Sequence, residues 1–376
     1  MSDEIKHECG LAYIRLRKPF SYYLQQHGSV TYGLSKLYLL MEKQHNRGQD
    51  GAGFASVKLN TEPGNPFLYR MRSNAPQPIA DLFFRVGQEI AELEKYQTDI
   101  KLHPGLMKGH LPFLGELLLG HLRYGTQGKN NLEFCHPFIK RDLVPGKNIA
   151  LAGNFNLVNT DELFDAIKMN PGDFQKQSDL AAMMEVILYY LAEEDNLNPN
   201  AADITSVLKK ATPLFDGGYT IGSLIGNGHS FVMRDAHGIR PAYYYINDEV
   251  IVAASERAAI RTTFNVGENE VMELMPGAAI IVDDNGNYKI EQILAPKERR
   301  ACSFERIYFS RGSDEKIYRE RIALGHHLSK TVLDSIDHDL KNTIFSYIPN
   351  TAEVAFYGLV KGMEEYLNKI KVERIL

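Results

Sequence analysis

Short strand-like segments that alternate with helical stretches constrain the fold of this chain more than any other feature. The strand-like segments are rich in β-branched and aromatic residues and are bounded by Gly, Asn or Asp. They cover Cys9–Leu16, Gly51–Leu59, Leu117–Tyr124, Asn148–Asn154, Gly217–Ile225, Ser230–Arg234, Ala242–Ile246, Val250–Ala254 and Ala278–Val282. Helical periodicity is clearest in Asp179–Leu191, and helices are also expected over about Tyr32–His45 and about Phe83–Tyr96. The pattern predicts an α+β fold in which two sheets pack between layers of helices.

The length of 376 residues exceeds one average domain, so two domains are expected. The composition turns polar and basic at Pro296–Arg300, which is a plausible boundary. Beyond it the sequence predicts a helix that carries Leu328, a short strand at Thr343–Ile348 and a helix from about Thr351. This order is typical of the opening of an α/β domain.

Composition excludes several classes of function. The net charge of −5 gives no electrostatic reason to bind nucleic acid or an anionic membrane, and no apolar run reaches the ~20 residues of a membrane span. Met1–Glu8 is charged and has no apolar core, so it is interpreted as a propeptide or disordered leader, not a signal peptide. Cys9, Cys135 and Cys302 form no CxxC pair. Such cysteine usage favours a cytoplasmic protein.

Cys9 opens the first predicted strand, directly after the short leader. Cleavage of the Glu8–Cys9 bond would give one residue both a thiol nucleophile and a free α-amine, which titrates at roughly 7.7–8.0. The alternative is that Cys9 is a small buried strand residue, as unpaired cysteines commonly are. Cys135–His136 is assigned a structural role, because neighbours on a strand point to opposite faces.

Two Gly-containing segments offer further candidates. Arg47–Gly53 connects a helix to a strand with three glycines, which would let its backbone approach a ligand closely, although a helix end and turn would also explain them. Arg123 ends a predicted strand just before a turn. Its guanidinium could grip a carboxylate through two parallel hydrogen bonds, or it could be a solvated strand-end arginine.

Two polar segments later in the chain have similar double interpretations. Asn154 and Phe155 end another predicted strand, where a side-chain amide and a backbone N–H could face a developing oxyanion. Asn is also common in turns. Ser178 and Asp179 open the most periodic helix, either as an N-cap and first turn or as part of a binding site.

Together and in this order, these segments resemble the glutaminase domain of class II, N-terminal-nucleophile amidotransferases. With Gln49, the Arg47–Gly53 segment resembles the amidophosphoribosyltransferase branch of that family in particular. Further similar segments are Met233–Pro241, Ala254–Glu256, Met275–Gly277 and Cys302–Phe309. The resemblance implies a leader over residues 1–8 and a four-layer αββα N-terminal-nucleophile hydrolase fold over residues 9–296. Residues 297–376 would then form the start of an α/β phosphoribosyltransferase-type domain.

The resemblance implies catalytic roles for three residues. Cys9 would attack the glutamine carboxamide to form a thioester, after removal of the leader, and its α-amine would carry the proton. Asn154 Nδ2 and the Phe155 N–H would stabilise the oxyanion. The family usually has glycine where this chain has Phe155, which keeps the backbone donor but adds a bulky side chain.

The resemblance also implies the groups that bind glutamine. Arg123 would hold the α-carboxylate, Asp179 would hold the α-ammonium, and Thr126 would assist. The loop that begins at Arg47 would shape the pocket.

The implied reaction passes ammonia from glutamine to phosphoribosyl pyrophosphate and yields phosphoribosylamine, the first step of purine synthesis. The resemblance implies a homo-oligomer, no cofactor for the glutaminase step and Mg²⁺ for the transferase half. An iron–sulfur cluster is not expected, because Cys302 lacks enough partner thiolates, and His103, His110 and His121 lack the spacing of zinc ligands.

Two other functions stay open on the sequence alone. The family's pyrophosphate loop, an acidic pair followed by a Gly-Thr turn after a strand, does not occur in this sequence. Phosphoribosyl transfer therefore rests on the resemblance alone. The chain could instead be a regulatory or assembly subunit without turnover, or a different class II amidotransferase.

Overall fold

The chain divides into two compact units, Met1–Ala301 and Cys302–Leu376. The computed structural model describes residues 9–62, 64–125, 131–166, 178–197, 202–349 and 352–376. The sequence had suggested a boundary after residue 296. The assignment of the two parts as glutaminase and phosphoribosyltransferase-like stays a prediction.

The described strands of the first unit form two sheets in which neighbouring strands run antiparallel. The strands are β1 (Gly10–Leu16), β2 (Gly51–Val57), β3 (Leu68–Ser73), β4 (Leu117–Arg123), β5 (Phe138–Lys140), β6 (Ile149–Leu157), β7 (Gly217–Ile225), β8 (Ser230–Arg234), β9 (Tyr243–Ile246), β10 (Val250–Ala254), β11 (Met272–Glu273), β12 (Ala278–Val282) and β13 (Tyr288–Gln292). The first sheet has the order β11-β9-β10-β1-β4-β2-β3, and the second has the order β13-β12-β8-β7-β6-β5.

The described α-helices of the first unit cover the outer faces of these sheets. They are α1 (Phe20–His27), α2 (Tyr32–Glu42), α3 (Pro78–Tyr96), α4 (Pro104–His110), α5 (Thr160–Ala166), α6 (Asp179–Leu197), α7 (Ile204–Ala211) and α8 (Arg257–Phe264). Helices α1, α2, α3 and α8 share a buried apolar cluster with the first sheet. Helices α6 and α7 share another with the second sheet.

The alternation of side chains along β1 shows how the layers are built. Leu11 and Tyr13 belong to the apolar cluster between the two sheets, together with Ala150 and Ala152 of β6. Ala12, which lies between them, and Ile14 belong to the cluster beneath the helices. A strand with period-2 alternation that is apolar on both faces must be covered on both sides. The predicted four-layer αββα arrangement is confirmed.

In the described residues of the second unit, the regular secondary structure is helical. A π-helical turn, Glu305–Phe309, precedes α9 (Glu315–Ser335) and α10 (Glu353–Ile375). Glycines let these two helices pack closely, since a Cβ on Gly325 would lie 1.7 Å from the carbonyl oxygen of Ala355.

The predicted strand at Thr343–Ile348 is wrong. These residues form no strand, and none occurs among the described residues of this unit. Ile344 is 95% exposed, so the β-branched residues that suggested a strand have no sheet to join. An isolated extended segment has no ladder of hydrogen bonds to stabilise it.

Within the described ranges, no helix has both the length and the apolar character required to cross a bilayer.

Candidate active site

Three of the predicted residues face the space between the two sheets, at the same end. Cys9 directly precedes β1 and has the parity of Leu11, which lies in the apolar layer between the sheets. Arg123 ends β4 with the parity of Leu119, another residue of that layer. Asn154 on β6 continues the face of Ala152 from the opposite sheet. Period-2 alternation therefore directs all three side chains into one inter-sheet space.

Cys9 and Asn154 are joined across the sheets by a hydrogen bond. The Cys9 backbone N–H donates to Asn154 Oδ1 over 3.3 Å, and the two residues are 4% and 0% exposed. Because a backbone N–H can only donate, the oxygen of the amide must face Cys9. The Nδ2 group of Asn154 is then directed elsewhere in the site.

The Phe155 N–H points away from β7, the neighbouring strand of the second sheet. Phe155 is paired with Tyr219 on β7, but the Tyr219 N–H donates to Asp235 Oδ2 and the Tyr219 carbonyl accepts from the Asp235 N–H. Both backbone groups of Tyr219 are thus used on the far side, and the Phe155–Tyr219 pair is a non-hydrogen-bonded one. On the other side, β5 pairs only with the start of β6. The Phe155 N–H therefore points to the side of β6 that carries β5 further back along the strand.

The Phe155 side chain takes the opposite direction from that of Asn154. It belongs to the apolar cluster beneath α6 and α7. Its ring stacks on His136, with centroids 5.5 Å apart and 19° between the planes. The bulky residue that replaces the family's glycine is thus accommodated by packing in the wall of the site.

Asp50 and Gly48 fix the chain around Arg123. The Asp50 N–H donates to the Arg123 carbonyl over 3.1 Å, and Asp50 Oδ2 accepts from the Gly125 N–H over 2.7 Å. A Cβ on Gly48 would lie 2.6 Å from the Arg123 carbonyl carbon. The guanidinium of Arg123 lies 5.7 Å from the centre of the Phe134 ring. The turn after Arg123 is therefore held from two sides.

The other glycines of the Arg47–Gly53 segment allow a neighbouring segment of the chain to pack closely against it. A Cβ on Gly51 would lie 2.5 Å from Cys135 Sγ, and one on Gly53 would lie 2.3 Å from the His136 carbonyl oxygen. These glycines bring the Cys135–His136 segment against β2. Burial raises the pKa of the Cys135 thiol, which favours its protonated form.

Asp179 is the first residue of α6 and lies beside β6. Its Oδ2 accepts from the Leu157 N–H over 2.9 Å, and its Oδ1 accepts from the Thr160 hydroxyl over 2.8 Å. The partial positive charge at a helix N-terminus favours a carboxylate there. Since two carboxylate oxygens offer about four acceptor sites, these bonds leave capacity for a cationic ligand.

One pocket unites most of the predicted residues. Its lining comprises Cys9, His121, Arg123, Tyr124, Phe134, His136, Gly153, Phe155, Ser178 and Asp179. A thiol, a guanidinium and a carboxylate thus share one cavity, with the Asn154 side chain bonded to the cysteine. The predicted residue Thr126 lies outside the described residues.

Arg47 is not among the residues that line this pocket, and its predicted role in binding glutamine stays a prediction. It is 0% exposed, and its Nε–H donates to Glu256 Oε1 over 2.8 Å. The same oxygen accepts from Asn46 Nδ2 over 3.0 Å. A Cβ on Gly10 would lie 3.4 Å from Arg47 Cβ. Arg47 therefore supports β1 next to Cys9 through a buried ion pair.

His121 and His136 line the pocket although the sequence analysis assigned neither of them to it. Their ring centroids are 4.1 Å apart. His121 was detectable, because it precedes Arg123 by two residues on one strand and must share its face. His136 gave no such signal, since its place depends on tertiary packing against Gly53.

Comparison with known proteins agrees with this arrangement. No family model matches the chain. The amidophosphoribosyltransferase of Methanothermobacter thermautotrophicus is 26% identical over 329 residues, which cover 86% of this chain and 59% of that protein. The amidophosphoribosyltransferase of Synechocystis sp. is 31% identical over 237 residues, which cover 60% of this chain and 44% of that protein. This chain is thus similar in sequence to amidophosphoribosyltransferases over more than half of its length.

A solved structure supports the same kinship at the level of the fold. Glutamine phosphoribosylpyrophosphate amidotransferase from B. subtilis, complexed with ADP and GMP, matches with a TM-score of 0.64 and 21% identity. The match covers 95% of this chain and 64% of that amidotransferase. The N-terminal-nucleophile hydrolase fold is thereby confirmed. The chain spans about half the length of the two curated amidophosphoribosyltransferases that it matches.

The donor set for a metal ion is poor. Across the residues that the structure describes, no group of three or more His, Cys, Asp and Glu side chains could hold a metal. The described residues therefore offer no all-protein cluster of ligands for the Mg²⁺ expected for a transferase half.

Proposed function

We propose that this chain hydrolyses glutamine at Cys9 and passes the ammonia to phosphoribosyl pyrophosphate. The observation that carries the proposal is the shared pocket of Cys9, Arg123 and Asp179, with the Cys9 nitrogen bonded to Asn154. A nucleophile lies between groups suited to the two charged ends of a free amino acid. A buried structural cysteine would need none of these neighbours.

In the proposed first step, removal of residues 1–8 leaves Cys9 with a free α-amine. The amine takes the proton of the thiol, and Sγ attacks the carboxamide carbon of glutamine. Collapse of the tetrahedral intermediate breaks the C–N bond, and the amine returns the proton to the leaving ammonia. Water then hydrolyses the thioester to glutamate. The 3.3 Å bond to Asn154 Oδ1 supports this, because a freed amine would keep the same acceptor.

The oxyanion of the intermediate would be held by Asn154 Nδ2 and the Phe155 N–H. The direction of the Asn154 amide, the orientation of the Phe155 N–H away from β7 and the place of Phe155 in the pocket lining support these roles. Donors that are fixed before the reaction stabilise the charge that develops in the transition state, and loss of one typically costs about 10²–10³ in rate.

Substrate binding is assigned to opposite charges in the pocket. Arg123 would hold the α-carboxylate through a charge-assisted pair of hydrogen bonds. Asp179 would accept the α-ammonium while it keeps its bonds to Leu157 and Thr160. Thr126 is retained as an assisting residue from the family resemblance.

In the proposed second reaction, ammonia attacks carbon 1 of phosphoribosyl pyrophosphate and displaces pyrophosphate to give phosphoribosylamine. Support for this step comes from the names of the relatives and the amidotransferase fold match. No step is assigned to Mg²⁺, for want of a fitting donor group. Assembly as a homo-oligomer and a cytoplasmic location, where the thiol would stay reduced, belong to the same proposal.

The test is glutamate release by the purified chain, with Cys9→Ala and Cys135→Ala as a matched pair of cysteine variants. The proposal predicts that Cys9→Ala abolishes release, whereas Cys135→Ala retains most of it. Intact mass should show that the active chain begins at Cys9. No glutamate release from the wild-type chain would favour a regulatory or assembly subunit without turnover.

The acceptor is tested separately, by the consumption of phosphoribosyl pyrophosphate in the presence of glutamine or ammonium. The proposal predicts pyrophosphate release that depends on either nitrogen source. Glutamate release without consumption of phosphoribosyl pyrophosphate would reject the transfer step and favour a different class II amidotransferase.

A further inference from the structure

His121 is a buried polar side chain on the pocket wall to which the proposed reaction gives no role. It is 0% exposed and shares the face of Arg123, two residues further along β4. It lines the pocket beside Cys9. A buried imidazole must be explained by its hydrogen bonds.

The main bond of His121 fixes its tautomer. Nε2 lies 3.1 Å from the Gly153 carbonyl oxygen. Since a carbonyl can only accept, Nε2 carries the proton and Nδ1 does not. Burial lowers the pKa of His121 to about 3, and the charge of Arg123 acts in the same direction, so the ring stays neutral. The donor is therefore constant over the working pH range.

This bond crosses from one sheet to the other. His121 belongs to β4 of the first sheet, and Gly153 belongs to β6 of the second. It lies next to the other inter-sheet bond of the site, from the Cys9 N–H to Asn154 Oδ1. Both bonds reach the same short stretch of β6.

The backbone geometry connects the Gly153 carbonyl to the proposed oxyanion donors. In a strand, the backbone groups of residues i and i+2 point to the same side. The Gly153 carbonyl therefore points to the same side of β6 as the Phe155 N–H, and Asn154 lies between them. A donor that holds this carbonyl also sets the orientation of both neighbouring peptide groups.

We propose that His121 is a positioning residue, whose Nε2–H holds the Gly153 carbonyl and thereby keeps the oxyanion donors of Asn154 and Phe155 opposite Cys9. The proposal rests on the glutaminase function proposed above. His121 itself need not touch the substrate. It acts through the backbone of β6.

Three variants of His121 distinguish the effect of its Nε2–H donor from the effect of its ring. His121→Gln places an amide nitrogen near the position of Nε2, His121→Asn places one near Nδ1, and His121→Phe keeps a ring without a donor. Misplacement by about 1 Å near a reacting group costs on the order of 10² in rate. We expect His121→Phe and His121→Asn to lower kcat by about this factor, with KM for glutamine near the wild-type value. His121→Gln should recover most of kcat.

A second measurement does not depend on turnover. Hydrogen exchange at the amides of Asn154 and Phe155 should be faster in His121→Phe than in the wild type, and slowed again in His121→Gln. Thermal unfolding of each variant gives the stability of the whole fold. If the wild-type chain releases no glutamate, the glutaminase proposal fails while the exchange experiment still tests the positioning role.

Two results would overturn the role of His121. One is that His121→Gln loses as much kcat and amide protection as His121→Phe. The other is that His121→Phe retains the wild-type kcat and exchange rates.

Discussion

The two sheets of the first unit contribute different chemistry to one pocket. The first sheet supplies the thiol of Cys9 and the guanidinium of Arg123, both at strand ends. The second supplies Asn154 and the Phe155 N–H from β6, and Asp179 accepts a hydrogen bond from Leu157 of the same strand. Neither sheet holds a complete site. The proposed activity would therefore depend on how the two sheets are aligned, and not only on which residues are present.

The largest effect is expected when the second sheet loses the Phe155 N–H as an oxyanion donor, while the residues of the first sheet are unchanged. Phe155→Pro removes the N–H, and because this N–H points away from β7, its loss breaks no ladder bond to that strand. Its effect on the residue before it is compatible with the extended backbone of β6. We expect kcat for glutaminase to fall about 10²–10³-fold. Steady-state kinetics checks this, and an unchanged kcat would remove the Phe155 N–H from the mechanism.

A smaller effect is expected where the first sheet loses its carboxylate-binding group. Arg123→Gln should raise KM for glutamine, because hydrogen bonds to charged groups contribute about 1.5–3 kcal/mol, or roughly 10–100-fold in affinity. The matched control is glutamine α-amide, which lacks the carboxylate. Wild type and variant should use this analogue equally well. A large difference between them on the analogue would show that Arg123 acts elsewhere.

The third effect concerns the pH dependence of stability that arises from His121, which bonds to Gly153 of the other sheet. The pKa of His121 is lowered from 6.5 to about 3 in the folded protein. Between these values the unfolded chain binds a proton that the folded chain does not, so stability is lost as pH falls from about 6.5 towards 3. His121→Gln should show a weaker loss of unfolding free energy over this range. Denaturant titrations at several pH values check this, and equal pH slopes would contradict it.

The smallest effect is expected where the second sheet changes a side chain but keeps its donor. Phe155→Leu retains the backbone N–H and an apolar residue in the cluster beneath α6, but loses the stacking on His136. We expect kcat near the wild-type value and a modest decrease in the melting temperature. A fall in kcat as large as that of Phe155→Pro would show that the ring itself shapes the site.

Much of the fold could be predicted because strands with partners on both sides have strong patterns. β7 and β10 coincide with their predicted bounds. β13 was missed since its residues are largely exposed and polar, and β11 because it has only two residues. The strand predicted at Thr343–Ile348 shows the reverse error, in which local β-propensity is not matched by a neighbouring strand.

In the candidate site too, residues in local motifs could be predicted, whereas contacts between distant residues could not. Cys9, Arg123, Asn154 and Asp179 were singled out from ordered motifs at the ends of strands and at a helix start, and the structure brings them together. The buried pair of Arg47 with Glu256 could not be predicted, because the sequence does not reveal that these distant residues meet in the interior. Such partners follow from tertiary packing alone.

The most direct test of the account is covalent trapping with an electrophilic analogue of glutamine, followed by peptide mass spectrometry. The account predicts one adduct, on Cys9, in a chain whose N-terminus is Cys9 itself, and loss of labelling when excess glutamine is present. Labelling of Cys135 or Cys302, or an active labelled chain that retains residues 1–8, would contradict it.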